Sequence, residues 1–159
     1  MDKTDISLCA LLQDDSGRSR AELAEIVGLS TAACAKRITR LWNEGYIEKN
    51  SVTLSRAKFA KTVEVIVMVT LQTPKANIVT EFERNIRGHY HVRSLVAMSG
   101  EYDYMIEISA LSIEDFFSFA SEVLGQMSSV RNYQSQFILK RIKDDPRLPQ
   151  FVLDEAVSV

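Results

Sequence analysis

Between Ser99 and Glu107 the chain reads SGEYDYMIE, a glycine followed by the acids Glu101, Asp103 and Glu107. Residues two apart on a strand point to the same face, so Glu101 and Asp103 have the spacing of a general acid/base pair. No nucleophile or oriented histidine accompanies them, which leaves such chemistry without its other participants. A turn uses the same residues differently. Gly100 permits a positive φ and close backbone approach, so neighbouring amides can face a carboxylate while Asp103 accepts from an ammonium group. An amino acid carries both groups. A plain hairpin turn capped by Asp103 fits the same letters.

Other reactive side chains are sparse. His89 and His91 form a His-x-His run that offers two metal ligands and no second pair, as solvated loop histidines also would. Cys9 and Cys34 sit on helix-patterned segments among apolar neighbours, where thiols behave as small buried hydrophobes. Neither a metal site, a cofactor site nor a disulfide framework is expected. Phe116 and Phe119 share a helix face and read as core. The remaining cluster is basic: Lys36, Arg37 and Arg40 follow Thr31 and Ala32 within one short segment, a surface suited to an anion or simply a solvated helix face.

The net charge of −2 argues against coating nucleic acid by bulk charge, but it conceals an asymmetry. Residues 1–62 hold ten Lys/Arg against eight Asp/Glu, and the remainder nine against thirteen. At 46% apolar and 25% charged, the 159 residues have a globular balance without a membrane-spanning run or signal-peptide character. A cytoplasmic protein is expected.

Ile6 to Leu12 has helical apolar spacing, ended by Asp14-Asp15-Ser16-Gly17. Ser19 with Glu22 three residues on predicts a capping box for a helix closed by Gly28. Ser30 caps the next, whose Cys34, Ile38 and Leu41 recur at i, i+4 and i+7. Two short helices joined by a tight glycine turn are what insertion into a DNA major groove requires. On that reading Thr31, Ala32 and Lys36 approach base edges, and Arg37 and Arg40 neutralise phosphates. Gly45 ends the helix, and Tyr46-Ile47 with Val52-Thr53-Leu54 predict the strands of a wing.

From Val63 the pattern changes. A β-branched run to Leu71, a helix over 76–86, strands over 92–98 and 102–110 joined at Ser99-Gly100-Glu101, a helix capped by Ser112, and a long strand over 130–142 give β-α-β-β-α-β. That order is the ferredoxin-like split pattern, a four-stranded antiparallel sheet with both helices on one face. Val65, Val67 and Val69 point one way and Ile66, Met68 and Thr70 the other, so an apolar surface remains for a partner chain. The expected class is α+β: a winged helix-turn-helix over residues 1–50, a strand and hinge over 51–62, a ferredoxin-like domain over 63–143, and a tail over 144–159.

These motifs together resemble the leucine-responsive/asparagine regulator (Lrp/AsnC, or feast/famine) family. The first carriers are Thr4-Asp5-Ile6, Leu11-Leu12-Gln13-Asp14, Arg18 and Glu22-Leu23-Ala24. Val27-Gly28-Leu29-Ser30, Arg37-Ile38, Leu41 and Gly45-Tyr46-Ile47 complete the DNA-binding part. In the second half Gly100, Glu101, Tyr102 and Asp103 match the family's hairpin of a glycine, two residues and an aspartate. The chain departs from the family's usual letters at Lys49-Asn50, Ser55-Arg56, Ser129-Val130 and Tyr133-Gln134-Ser135.

The resemblance implies a sequence-specific transcriptional regulator of the bacterial or archaeal cytosol, nucleoid-associated and not an enzyme. It implies dimers assembled into tetramers or octamers, and a small amino acid effector bound near Ser99, Gly100, Glu101, Tyr102, Asp103 and Ser135. Two other readings share the fold: a sensing or assembly module without specific DNA recognition, and a ferredoxin-like enzyme.

Overall fold

The computed structural model describes residues 1–55, 58–59 and 61–156. Arg56, part of the expected hinge, and the last three residues of the tail lie outside that set. The chain divides into two compact units, one of residues Met1–Thr53 with the segment from Lys143 onward, the other Leu54–Ile142.

The first unit is built on α1 (Lys3–Asp14), α2 (Arg20–Ile26) and α3 (Thr31–Asn43). Each begins at a side-chain cap, because the first turn of a helix leaves backbone N–H groups without partners. Asp2 and Asp5 form a capping box on α1, Ser19 and Glu22 the expected box on α2, and Ser30 accepts from the Ala33 amide on α3. Gly28 and Gly45 take positive φ of 69° and 77° at the turns that end α2 and α3. Leu8, Leu23, Ala24, Cys34, Ile38 and Leu41 pack as the core, so the inward place of Cys34 holds.

Two features of this unit differ from the sequence reading. No strand forms at Tyr46-Ile47 or Val52–Leu54, which are irregular. Val52 is 84% and Leu54 61% exposed, and an isolated two-stranded ribbon without a packed face is barely stable. The tail, in turn, contains α6 (Gln150–Glu155), which packs on α1 and buries Leu153. The Gln13 amide pairs with the Leu148 backbone through both its atoms, at 3.0 Å to the carbonyl and 2.8 Å from the N–H. Arg147 reaches Asp14 at 2.9 Å and Asp145 at 2.8 Å, and this pairing holds the Asp145 carboxyl at about 2.

The second unit contains β1 (Val63–Leu71), α4 (Ala76–Arg87), β2 (Val92–Ala97) and β3 (Tyr104–Ala110). It continues with α5 (Ile113–Phe119), which runs into a π-helical turn over Ala120–Leu124, and ends with β4 (Val130–Phe137). The sheet order is β2-β3-β1-β4, all pairs antiparallel, as the split pattern requires. Val65, Val67 and Val69 are fully buried with Ile106, Ile108, Phe82, Ile86 and Phe116 beneath the helices. The last strand ends five residues earlier than expected. Phe137 lies opposite Val65, so a strand running to Ile142 would extend past Val63, where β1 begins and pairing runs out.

Candidate nucleic-acid interface and effector turn

Thr31, Ala32 and Lys36 lie exposed on the N-terminal half of α3, Thr31 as its first residue and Ala32 and Lys36 opposite the buried stripe of Cys34, Ile38 and Leu41. That is the part of a recognition helix that reaches base edges. Arg37 and Arg40 occupy the flank that faces α1. Arg37 Nη1 donates to Asp2 Oδ2 at 2.6 Å and to Asp5 Oδ1 at 2.8 Å, and Arg40 Nη2 donates to Asp5 Oδ2 at 2.5 Å. The Asp2 amide also donates to Asp5 Oδ2, at 3.0 Å.

The Asp5 side chain is 1% exposed, whereas Arg37 and Arg40 retain 30% and 46%. Burial pushes the Asp5 carboxyl up, but the Asp2 amide and the two guanidiniums outweigh it and leave it below the usual carboxylate range. Asp2 is lowered as well, first by the Asp5 amide and then by Arg37. The sequence shows four cations on α2 and α3. Among the described residues of these helices, the two without an ion pair are Lys36 and Arg20, both exposed. Asp2 and Asp5 were missed as functional partners. Their capping-box spacing was the available signal, with aspartate standing where the pattern usually has serine and glutamate.

In the second unit, the turn between β2 and β3 is closed by the Met98 amide donating to the Asp103 carbonyl at 2.9 Å. Gly100 sits at φ 135°, which side-chain-bearing residues rarely adopt, with open space around the position of a Cβ. Asp103 is anchored twice to β1: its amide donates to the Val69 carbonyl at 2.9 Å, and its Oδ2 accepts from the Leu71 amide at 2.7 Å. These bonds explain why β3 starts at Tyr104 and not at Tyr102. Asp103 Oδ1 has no hydrogen bond among the described residues.

Ser99, Gly100 and Glu101 are exposed, and Tyr102 is half-buried with its hydroxyl donating to Gln134 Oε1 at 2.8 Å. Ser135 is opposite Val67 and therefore turns to the helix-covered face, away from that contact, because neighbouring strand residues alternate. Gln134, noted in the sequence among the departures from the family's letters, is the β4 residue that meets the turn. At the start of β3, Tyr104 packs on Phe82 at 4.8 Å between ring centres. The Tyr104 hydroxyl donates to Glu83 at 2.7 Å, and burial with that bond pushes its pKa up to about 12.

The remaining candidates have other partners. Glu107, without a role in the sequence, joins Glu64, Arg93 and Arg141 in an ion network. His91 is buried, with its Nε2 3.1 Å from Asp115 and its ring between Tyr90 and Phe119. His89 stacks on His91, and burial followed by the proximity of His91 lowers its pKa. Among the described residues no group of three or more metal-ligating side chains converges.

Residues 64–148 match the family model of the Lrp/AsnC ligand binding domain, and residues 1–48 match that of a winged helix-turn-helix DNA-binding domain. The chain belongs to the Lrp/AsnC family. It is thus a DNA-binding transcriptional regulator that carries this family's ligand-binding domain.

An HTH-type transcriptional regulator of Haemophilus influenzae is 32% identical over 145 residues, covering 91% of this chain and 86% of that protein. The DNA-binding transcriptional activator DecR of Escherichia coli K12 is 28% identical, over 94% of this chain and 98% of its own length. Among solved structures, a transcriptional regulator of Neisseria meningitidis in complex with L-methionine superposes with a TM-score of 0.89 at 29% identity, covering 96% of this chain and 99% of that one. An AsnC family regulator of Agrobacterium tumefaciens gives 0.88 at 27% identity, over 96% and 99%. The Lrp/AsnC fold expected from the sequence is the one observed.

Proposed function

We propose that this Lrp/AsnC regulator is a cytoplasmic, oligomeric protein that binds DNA in response to an amino acid and catalyses no reaction. Thr31, Ala32 and Lys36 read base edges, with Arg37 and Arg40 on the flank of the same helix. The effector site is bordered by Ser99, Gly100, Glu101, Tyr102 and Asp103, with Ser135 on the neighbouring strand.

The observation that carries the sensing role is the state of Asp103. One carboxylate oxygen is fixed by the Leu71 amide, and the other has no hydrogen bond among the described residues, three positions after the positive-φ Gly100. A fixed carboxylate suits an ammonium group, and exposed turn amides suit a carboxylate. The relative solved with L-methionine supports an amino acid as the ligand class.

Self-association is supported by the uncovered sheet face, where Ile66, Met68 and Met105 stay half-buried and Val96 is 41% exposed. A second copy would cover that face, and two heads on a duplex would select a site with approximate two-fold symmetry. A thermal-shift screen of the twenty amino acids, with particle mass measured alongside, tests the proposal. At least one amino acid should raise the melting temperature or alter the mass. A protein indifferent to all twenty would refute amino acid sensing.

A further inference from the structure

We infer that Asp5 is a positioning residue of the DNA-binding unit, holding Arg37 and Arg40 so that these two arginines orient the recognition helix and do not contact phosphates. The inference rests on the reading of α2 and α3 as the DNA-contacting pair.

Apolar packing along Cys34, Ile38 and Leu41 anchors α3 but is not directional, so by itself it tolerates small rotations about the helix axis. Reading base edges does not tolerate them, since hydrogen bonds weaken steeply outside a narrow geometry. Arg37 and Arg40 stand one turn apart beside the buried stripe and converge on a single carboxylate at 2.8 Å and 2.5 Å. Asp5 is itself fixed on α1 by the reciprocal capping box with Asp2. Two directional bonds to one fixed point define the rotation of α3, and with it the direction in which Thr31, Ala32 and Lys36 face.

Charge leads to the same assignment. Asp2 and Asp5 together cancel the two guanidiniums, so this flank offers a phosphate no net attraction. Capturing either arginine would strip one of two charged partners from a carboxylate that is 1% exposed, and weakening the pairing of a buried charge is unfavourable. Arg20, exposed on α2, has no such partner and remains available for a phosphate.

The two roles differ in salt dependence, because each phosphate contact contributes about 0.9 to the slope of log affinity against log salt on duplex DNA. Affinities are measured for a duplex selected by the parent protein from a random pool and for random-sequence duplex, across a salt series. Asp5→Asn and Arg40→Ala should weaken binding to the selected duplex about tenfold, the scale of one lost base-pair contact. Affinity for random duplex and the salt slope should match the parent. Arg20→Ala should lower the slope by about 0.9. If Asp5→Asn does not fold, Arg40→Lys gives the same discrimination: it keeps the charge a phosphate needs, so parental binding would overturn the inference, and lost selectivity with a parental slope would support it. A slope that falls with Arg40→Ala, or unchanged selectivity in all three variants, would also overturn it. A parent that fails to prefer its selected duplex would refute the DNA-contacting reading, and the role of Asp5 with it.

Discussion

Replacing Asp103 separates two roles that one side chain combines. Asp103→Ala removes the acceptor of the Leu71 amide, whose residue is only 6% exposed, and leaves a donor at the end of β1 without its partner. An unsatisfied buried donor costs about 1–3 kcal/mol. In a unit of roughly 90 residues each kcal/mol shifts the melting temperature by about 4–8 °C, so a fall on the order of 10 °C is expected. Asp103→Asn keeps an oxygen in place for the Leu71 amide but removes the charge that attracts an ammonium group. It should melt within a few degrees of the parent and lose the response to ligand. An amino acid at about a hundred times its dissociation constant stabilises its bound state by about 2.7 kcal/mol, well within the reach of scanning fluorimetry. Melting each protein alone and with saturating effector provides the comparison. An Asp103→Asn variant with the parental ligand shift would refute the ammonium contact, and an Asp103→Ala variant as stable as the parent would refute the anchoring of β1.

Gly100 is conformationally restricted without being sterically crowded, so Gly100→Ala and Gly100→Ser should cost the same, about 1–3 kcal/mol of backbone strain, in denaturant melts. His89 takes up a proton near its ordinary 6.5 when unfolded and only at lower pH when folded, so the unfolded state binds more protons just below 6.5. Stability of the sheet unit should therefore fall as pH drops through that range, and His89→Gln should flatten the loss in melts at successive pH values. Gln13→Ala removes both bonds to the Leu148 backbone, and amide exchange over Gln150–Glu155 should then accelerate while the exchange of α4 is unchanged.

Elements set by local spacing were legible in the sequence. Ser19 with Glu22, Ser30 three residues before Ala33, and the apolar stripe of Cys34, Ile38 and Leu41 contain their own geometry within one helix, and they fold as read. The βαββαβ order was legible for the same reason. Features that depend on distant partners were not. Arg37 and Arg40 carry the charge of a phosphate contact, and nothing in their neighbourhood shows that Asp5, more than thirty positions earlier, takes both guanidiniums. The end of β4 depends on where β1 begins, a length its own periodicity does not contain. The tail carries Pro146 and Pro149 ahead of a short apolar run, and its helix gains a reason to form only against α1. At the effector turn the glycine and aspartate were visible, but the bond from Tyr102 to Gln134 and the turning away of Ser135 come from sheet register.

The central claim is that one chain joins a DNA-reading unit to an amino-acid-sensing turn. Its most direct test is the affinity of the protein for its selected duplex, measured at fixed salt by fluorescence anisotropy with each of the twenty amino acids. The account predicts that at least one changes the affinity of the parent and leaves that of Asp103→Asn unchanged. Affinity unmoved by all twenty, or moved equally in parent and variant, would contradict it.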